Sequence, residues 1–233
     1  MARSGKVALM IKSVFQKLLH RSGKHYAIDR DIPDSLFYRI LLRRLLMMVR
    51  GLLRTGKKVF IGSDVTLLNK SNIVFGKSVT LDKRVTVDAY SKNKTVFGDG
   101  VKIGAYSTIS CTSHFSKYGI GLQVGHHSAI GEYSYFGASG GITIGNDVIM
   151  GQYISFHSEN HNFLDKTQLI RNQGVTSKGI VIGNNVWVGA KVTFLDGCVV
   201  GNNVVVAAGA VVNGVYPDHS IIGGVPAKVL KHY

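Results

Sequence analysis

A chain of 233 residues with 45% apolar residues, 28 glycines and 3 prolines can bury a full core, which excludes a disordered chain and allows one or two domains. Two cysteines, Cys111 and Cys198, fit neither a disulfide framework nor a metal-ligand spacing, so a reducing, cytoplasmic compartment is expected. The formal charge of +15 is concentrated: residues 1–58 hold 14 Lys and Arg against Asp29, Asp31 and Asp34, while the rest holds 14 basic and 10 acidic side chains.

The first apolar run, Val7 to Met10, is too short for a secretory signal and is followed by lysine. Over residues 5–21, Val7, Met10, Ile11, Val14, Phe15 and Leu18 recur at helical spacing, with Lys6, Lys12 and Lys17 off the stripe. After Asp31-Ile32-Pro33-Asp34, either Asp34 or Ser35 is positioned to cap a second helix over about Ser35 to Leu53. That helix is both strongly apolar and strongly basic, with Arg39, Arg43, Arg44, Arg50 and Arg54. Each arginine near a bilayer centre would cost about 2.5–3.5 kcal/mol, so spanning is disfavoured. Two readings stay open: lying on an anionic membrane surface, at about 1 kcal/mol per basic residue, or packing on the scaffold or a neighbouring subunit. No nucleic-acid partner is assigned.

From about Lys58 the period changes to six. Ile61-Gly62, Phe75-Gly76, Phe97-Gly98, Ile103-Gly104, Val124-Gly125, Ile130-Gly131 and Ile144-Gly145 are followed, after a gap, by Ile182-Gly183, Val188-Gly189 and Val200-Gly201. Three such steps make an 18-residue coil with three short strands, each pointing an aliphatic side chain inward. The expected fold is an all-β parallel β-helix over residues 58–233, with residues 1–57 as N-terminal α-helices. Short departures occur at Asn93–Lys94 and Thr112–Ile120. The long one, Phe156 to Gly179, gathers His157, Glu159, Asn160, His161 and Asp165. A polar loop thrown out of a rigid repeat is the candidate site.

The six-residue register, the histidine-bearing loop, Asn185-Val186-Trp187-Val188-Gly189-Ala190 and Gly223-Gly224-Val225-Pro226-Ala227-Lys228 together resemble hexapeptide-repeat acyltransferases. Within that superfamily the chain is most similar to sugar O-acetyltransferases, including those acting on capsule and O-antigen polysaccharides. The resemblance covers about residues 58–233. It implies a left-handed β-helix, a homotrimer, and acetyl-CoA as co-substrate in a cleft between subunits. The left hand comes from the resemblance alone, because ordinary parallel crossovers are right-handed.

Acetyl transfer from a thioester to a sugar hydroxyl needs a base, and histidine titrates in the right range. His161 lies in the register of the catalytic histidine of galactoside-type relatives, so the resemblance selects it over His157, which is left to bind acceptor or orient His161. Glu159 or Asp165 could hold the imidazole, and Asn160, Ser139 and Asp165 are the acceptor-side candidates. The family's usual asparagine one coil before the histidine has no counterpart in Phe136-Gly137-Ala138-Ser139-Gly140-Gly141. The thioester oxyanion needs a preorganised N–H, and by resemblance Ala190 supplies it beside Trp187. Ala208 and Asn213 would line the pantetheine and adenine channel, and Lys228 and Lys231 would meet CoA phosphate. Two other readings stay open: a zinc hydratase like the γ-class carbonic anhydrases, with three ligands from among His114, His126, His127, His157 and His161 meeting across a trimer interface, and a non-catalytic trimeric scaffold. No metal is assigned under the acetyltransferase reading.

Overall fold

The computed structural model describes residues 11–17, 20, 27–29 and 31–233. They fall into two compact units that divide between Leu46 and Met47. In the first unit, residues 11–17 and 20 are helical, and the remainder of the helix expected over 5–21 lies outside the described residues. Lys12 Nζ pairs with Asp34 Oδ1 at 2.7 Å and donates to the Ile32 carbonyl, while the Phe15 ring meets Phe37 edge-on at 5.6 Å.

The second helix runs Asp34–Thr55, slightly longer at both ends than its apolar pattern suggests. Asp34 in its first turn and Arg54 in its last both favour the helix dipole. Only Phe37, Met47 and Gly51 are buried along it, so most of its apolar stripe faces solvent. At the C-terminal end, Gly51 lets the helix touch the Val59 carbonyl, where any Cβ would collide. Arg50 and Arg54 there donate to the carbonyls of Ile61 and Val65 at 3.3 and 2.7 Å.

From Phe60 the chain winds as a left-handed parallel β-helix with three faces. Face A stacks strands from Phe60–Ile61 through Ala129–Ile130, Ile149–Met150, Trp187–Val188 and Val205–Val206 to Ser220–Gly224. Face B runs from Thr66–Leu68 through Tyr135–Gly137, Ser155–His157 and Thr193–Leu195 to Val211–Val212. Face C runs from Ile73–Phe75 through Ile142–Ile144, Ile180–Ile182 and Val199–Val200 to Val215–Tyr216. The chain visits them in the order A, B, C. Trp187 pairs with Val205 and Thr193 with Val211, each a step of 18 residues as the period predicts. Face A is closed by the antiparallel strand Ala227–His232, which covers the last open edge.

Alternation in each short strand sends one residue inward. Phe136, Phe156 and Phe194 stack inside face B with centroids 4.9 Å apart at each step, all fully buried. The corner between faces C and A carries a polar ladder. Asn146, Asn184 and Asn202 each accept the N–H of the ladder residue one coil before, from His126, Asn146 and Asn184, at 2.8, 2.8 and 2.9 Å. Asp218 ends the ladder by accepting from Asn202 N at 2.7 Å, and this backbone bond, then the Asn202 side chain, holds its carboxyl below the usual range.

Candidate functional site

The loop leaves face B after His157 and rejoins face C at Ile180. It carries its own two-stranded ribbon, Asn160–His161 antiparallel to Val175–Thr176. His161 and Asn160 line a cleft of about 710 Å³ with Asn162, Phe163, Asp165 and Gln173 among its walls. Amides and one imidazole dominate those walls. Such groups both donate and accept hydrogen bonds, which suits a polyhydroxylated ligand.

The two loop histidines sit differently. His157 belongs to face B, outward, with Nε2 2.7 Å from Ser155 Oγ and its ring 5.9 Å from that of Tyr135. His161 stands on the ribbon, and its imidazole has no hydrogen-bond partner among the described residues. Neither carboxylate expected to hold it does so within one chain. Glu159 accepts from Ser139 Oγ at 3.1 Å and Ser113 Oγ at 3.2 Å, with Lys117 Nζ at 3.9 Å. Asp165 accepts from Thr167 Oγ1 at 2.6 Å, Thr167 N at 2.9 Å and Gln168 Nε2 at 2.8 Å. Those bonds, the Thr167 hydroxyl first, depress its carboxyl below the ordinary value.

The acceptor-side candidates are likewise engaged. Ser139 is buried at 4% exposure beneath Glu159. Asn160 donates from Nδ2 to Asp196 Oδ2 at 3.3 Å. Three contributors had no signal in the sequence because they come from other coils: Asp196, Ser113 and Lys117. The short excursion at Thr112–Ile120 and the long loop, separate in the sequence, meet here, with Lys117 reaching both Glu159 and Ser177.

The expected cofactor-side residues gather elsewhere. Trp187 projects outward from face A at 62% exposure. It lies in a cross-strand row that runs from Ile149 through Trp187 to Val205, Ile221 and Lys231. The pairing skips Leu230 between Val229 and Lys231. This bulge returns Lys228, opposite Gly223, and Lys231, opposite Ile221, to one side of the strand. Ala190 follows at the A/B corner, and its N–H meets no acceptor among the described residues. Ala208 lies one coil beyond it at the same corner, whereas Asn213 stands at the B/C corner, on the loop's side. Within one chain, then, His161 and Ala190 occupy opposite edges of face B.

The five histidines of the hydratase reading are scattered as well. His126 and His127 lie on the C/A corner, His114 on the short excursion, His157 on face B and His161 on the ribbon. Among the described residues no three His, Cys, Asp or Glu side chains converge on a point that could hold a metal. The hydratase reading gains no support.

Residues 179–214 match the family described as bacterial transferase hexapeptide (six repeats). Over 172 residues the chain is 27% identical to WbbJ of Escherichia coli (strain K12), provisionally named a lipopolysaccharide biosynthesis O-acetyl transferase; the match covers 71% of this chain and 74% of that one. It is 32% identical over 90 residues to the galactoside O-acetyltransferase of the same strain, which covers 39% of this chain and 43% of the relative. The chain thus spans less than half of that enzyme. Among solved structures, the hexapeptide-repeat acetyltransferase VCA0836 of Vibrio cholerae, complexed with acetyl-CoA, superposes with a TM-score of 0.50 at 26% identity. That match covers 58% of this chain and 69% of the other.

Proposed function

We propose that this chain, a hexapeptide-repeat acyltransferase, moves an acetyl group from acetyl-CoA to a hydroxyl of a sugar or surface polysaccharide. His161 takes the hydroxyl proton as the oxygen attacks the thioester carbonyl and the C–O bond forms. The Ala190 N–H holds the oxyanion of the tetrahedral intermediate. The C–S bond then breaks, and the imidazolium of His161 returns its proton to the CoA thiolate. Trp187, Lys228 and Lys231 on the outer side of face A offer an apolar wall and two cations to pantetheine and phosphate.

The observation that carries this reading is that His161 and Ala190 stand at two edges of face B. Faces A and C share the C/A corner, and both expose apolar residues: Ile149 and Trp187 on A, Val181 and Val215 on C. A ring of copies needs two different complementary surfaces. If face A of one copy meets face C of the next, the A/B corner of the first lies beside the B/C corner of the second. Ala190 then faces the neighbour's His161. A homotrimer with sites between subunits satisfies the chemistry, and a lone chain does not.

Two measurements test this. His161→Ala is expected to lower kcat for hydroxyl-dependent acetyl-CoA consumption by at least about 10²-fold with the fold unchanged; full activity would remove His161 from its role. A Cβ at Gly151 would lie 2.8 Å from Ala190 N and displace it, so mixing inactive His161→Ala with inactive Gly151→Ala subunits should regenerate activity, since each mixed trimer contains one intact cleft. No regeneration would overturn the shared site.

The segment 1–57 is proposed as a docking element for the inner face of an anionic membrane, and residues 58–233 as the catalytic coil. No helix among the described residues is long and apolar enough to cross a bilayer. The helix Asp34–Thr55 nevertheless exposes Leu42, Leu45, Leu46, Val49, Leu52 and Leu53 beside Arg39 and Arg43. An apolar face flanked by cations fits an interfacial helix. Flotation with anionic vesicles should capture the full chain at low salt and lose it when residues 1–56 are removed; equal flotation of both forms would refute the docking.

A further inference from the structure

The root of the loop is clasped by a residue of the next coil. Asp196 follows the face B strand Thr193–Leu195, whose Phe194 and Leu195 pair with Phe156 and His157 where the loop departs. Asp196 Oδ1 accepts the backbone N–H groups of Lys178 and Gly179, both at 2.8 Å, which pins the loop's exit. Its Oδ2 accepts from Asn160 Nδ2 at 3.3 Å, which pins the entry. Gly197 N adds a bond of 2.8 Å to the Gly179 carbonyl. Bonds to an ionised carboxylate are roughly twice as strong as neutral ones.

Asn160 is the residue before His161 in a two-residue strand. Holding Asn160 onto the coil anchors the strand at the residue next to His161, and both side chains line the cleft. Glu159 is tied from a different direction, through Ser139, Ser113 and Lys117.

We propose that Asp196 is the positioning residue for His161: it grips Asn160 and both ends of the loop so that the imidazole is presented to the acceptor. This rests on His161 being the base. A misplacement of about 1 Å in a catalytic group can cost about 10²-fold, so the clasp acts on kcat and not on the capture of acetyl-CoA.

The test is a swap on the intact chain. Asp196→Ala removes both acceptor oxygens from Asn160, Lys178 and Gly179, whereas Asp196→Asn with Asn160→Asp exchanges donor and acceptor and leaves the carbonyl of the new amide for Lys178 and Gly179. Imidazole signals are recorded by heteronuclear NMR, with that of His161 identified by its loss in His161→Gln. Turnover is measured with acetyl-CoA and a galactoside or O-antigen acceptor. The single variant is expected to shift or broaden the His161 signal and lower kcat about 10-fold or more, with KM for acetyl-CoA within about twofold. The double variant should restore the signal and bring kcat to within about threefold of the parent. An unmoved His161 signal in Asp196→Ala, or a double variant no better than the single, overturns the clasp. Full turnover in His161→Gln would instead sink the base assignment while leaving the NMR outcome to judge the clasp.

Discussion

Gly151 offers a way to displace Ala190, the proposed oxyanion donor, without mutating it. A Cβ at Gly151 would lie 2.8 Å from Ala190 N, 2.9 Å from Ala190 Cα and 3.2 Å from the Gly189 carbonyl carbon. Optimal separation begins near 3.5 Å, so Gly151→Ala overlaps its neighbour by about 0.7 Å. The atoms in the way are backbone and cannot swing aside. Gly98 is a matched control far from the site, since its Cβ would lie 2.8 Å from both Gly125 C and His126 N, and 3.1 Å from Gly125 O. Both substitutions should cost about 1–3 kcal/mol in stability through overpacking, seen as similar falls in the urea midpoint. Their kinetics should part. An oxyanion donor must sit within about 2.7–3.1 Å of the developing charge, and losing one costs about 10²–10³ in kcat, or about 2.7–4 kcal/mol. Gly151→Ala is therefore expected to lose kcat on that scale while Gly98→Ala keeps it within about threefold. Equal kcat in the two variants at equal midpoints would refute Ala190 as the donor.

The phenylalanine stack yields an ordering. Phe156 has a stacked ring on each side, but Phe136 and Phe194 each have one within the trio. Alanine at any of them should cost about 3–5 kcal/mol, with Phe156 worse than either neighbour by about 0.5–1.5 kcal/mol for the second stack; denaturant unfolding that reverses this order would argue that the loop relaxes around the cavity. Burial pushes the Cys198 thiol up to about 12 and raises that of Cys111 as well. Native protein at pH 8 should accordingly leave Ellman's reagent unreacted and release 2 thiols only in denaturant, whereas rapid native labelling would mean that the coil opens. Asp218 titrates below its ordinary 3.8 because Asn202 hydrogen-bonds the carboxylate. A depressed folded value means a stabilising contribution that is present above the unfolded value and lost as pH falls through the folded one. Asp218→Asn should lower the thermal midpoint at pH 6 and have progressively less effect as the pH falls below the ordinary 3.8, and an undiminished effect there would show that the charge is not involved.

The six-residue period was readable because each inward side chain and each tight corner recurs locally. Ile182-Gly183, Val188-Gly189 and Val200-Gly201 state the coil without reference to anything distant. For the same reason the loop announced itself as a break in register, while the preference for His161 over His157 within it came from the resemblance to galactoside-type relatives. The helix Asp34–Thr55 was equally legible from its stripe and its acidic start. Local pattern, however, does not say which residues of a loop face each other. Glu159 and Asp165 both looked able to steady His161, but a carboxylate bonds whatever donors the fold brings nearest. Those are Ser113 and Ser139 for Glu159, and the loop's own Thr167 and Gln168 for Asp165.

Spacing alone would have put Lys228 and Lys231 on opposite sides of a regular strand, and only the bulge at Leu230 reunites them. Asp196 had no sequence signal at all, because its partners Asn160, Lys178 and Gly179 are 36, 18 and 17 residues away and come close only when one coil lies on the next. What the sequence by itself determined is what repeats or stands next to itself: the coil, its period, its core and the place where it opens. The tertiary structure alone decided the pairings across coils, which carboxylate serves which donor and where His161 and Ala190 stand around face B. Those depend on three-dimensional stacking, in which residues tens of positions apart become neighbours about 4.8 Å away.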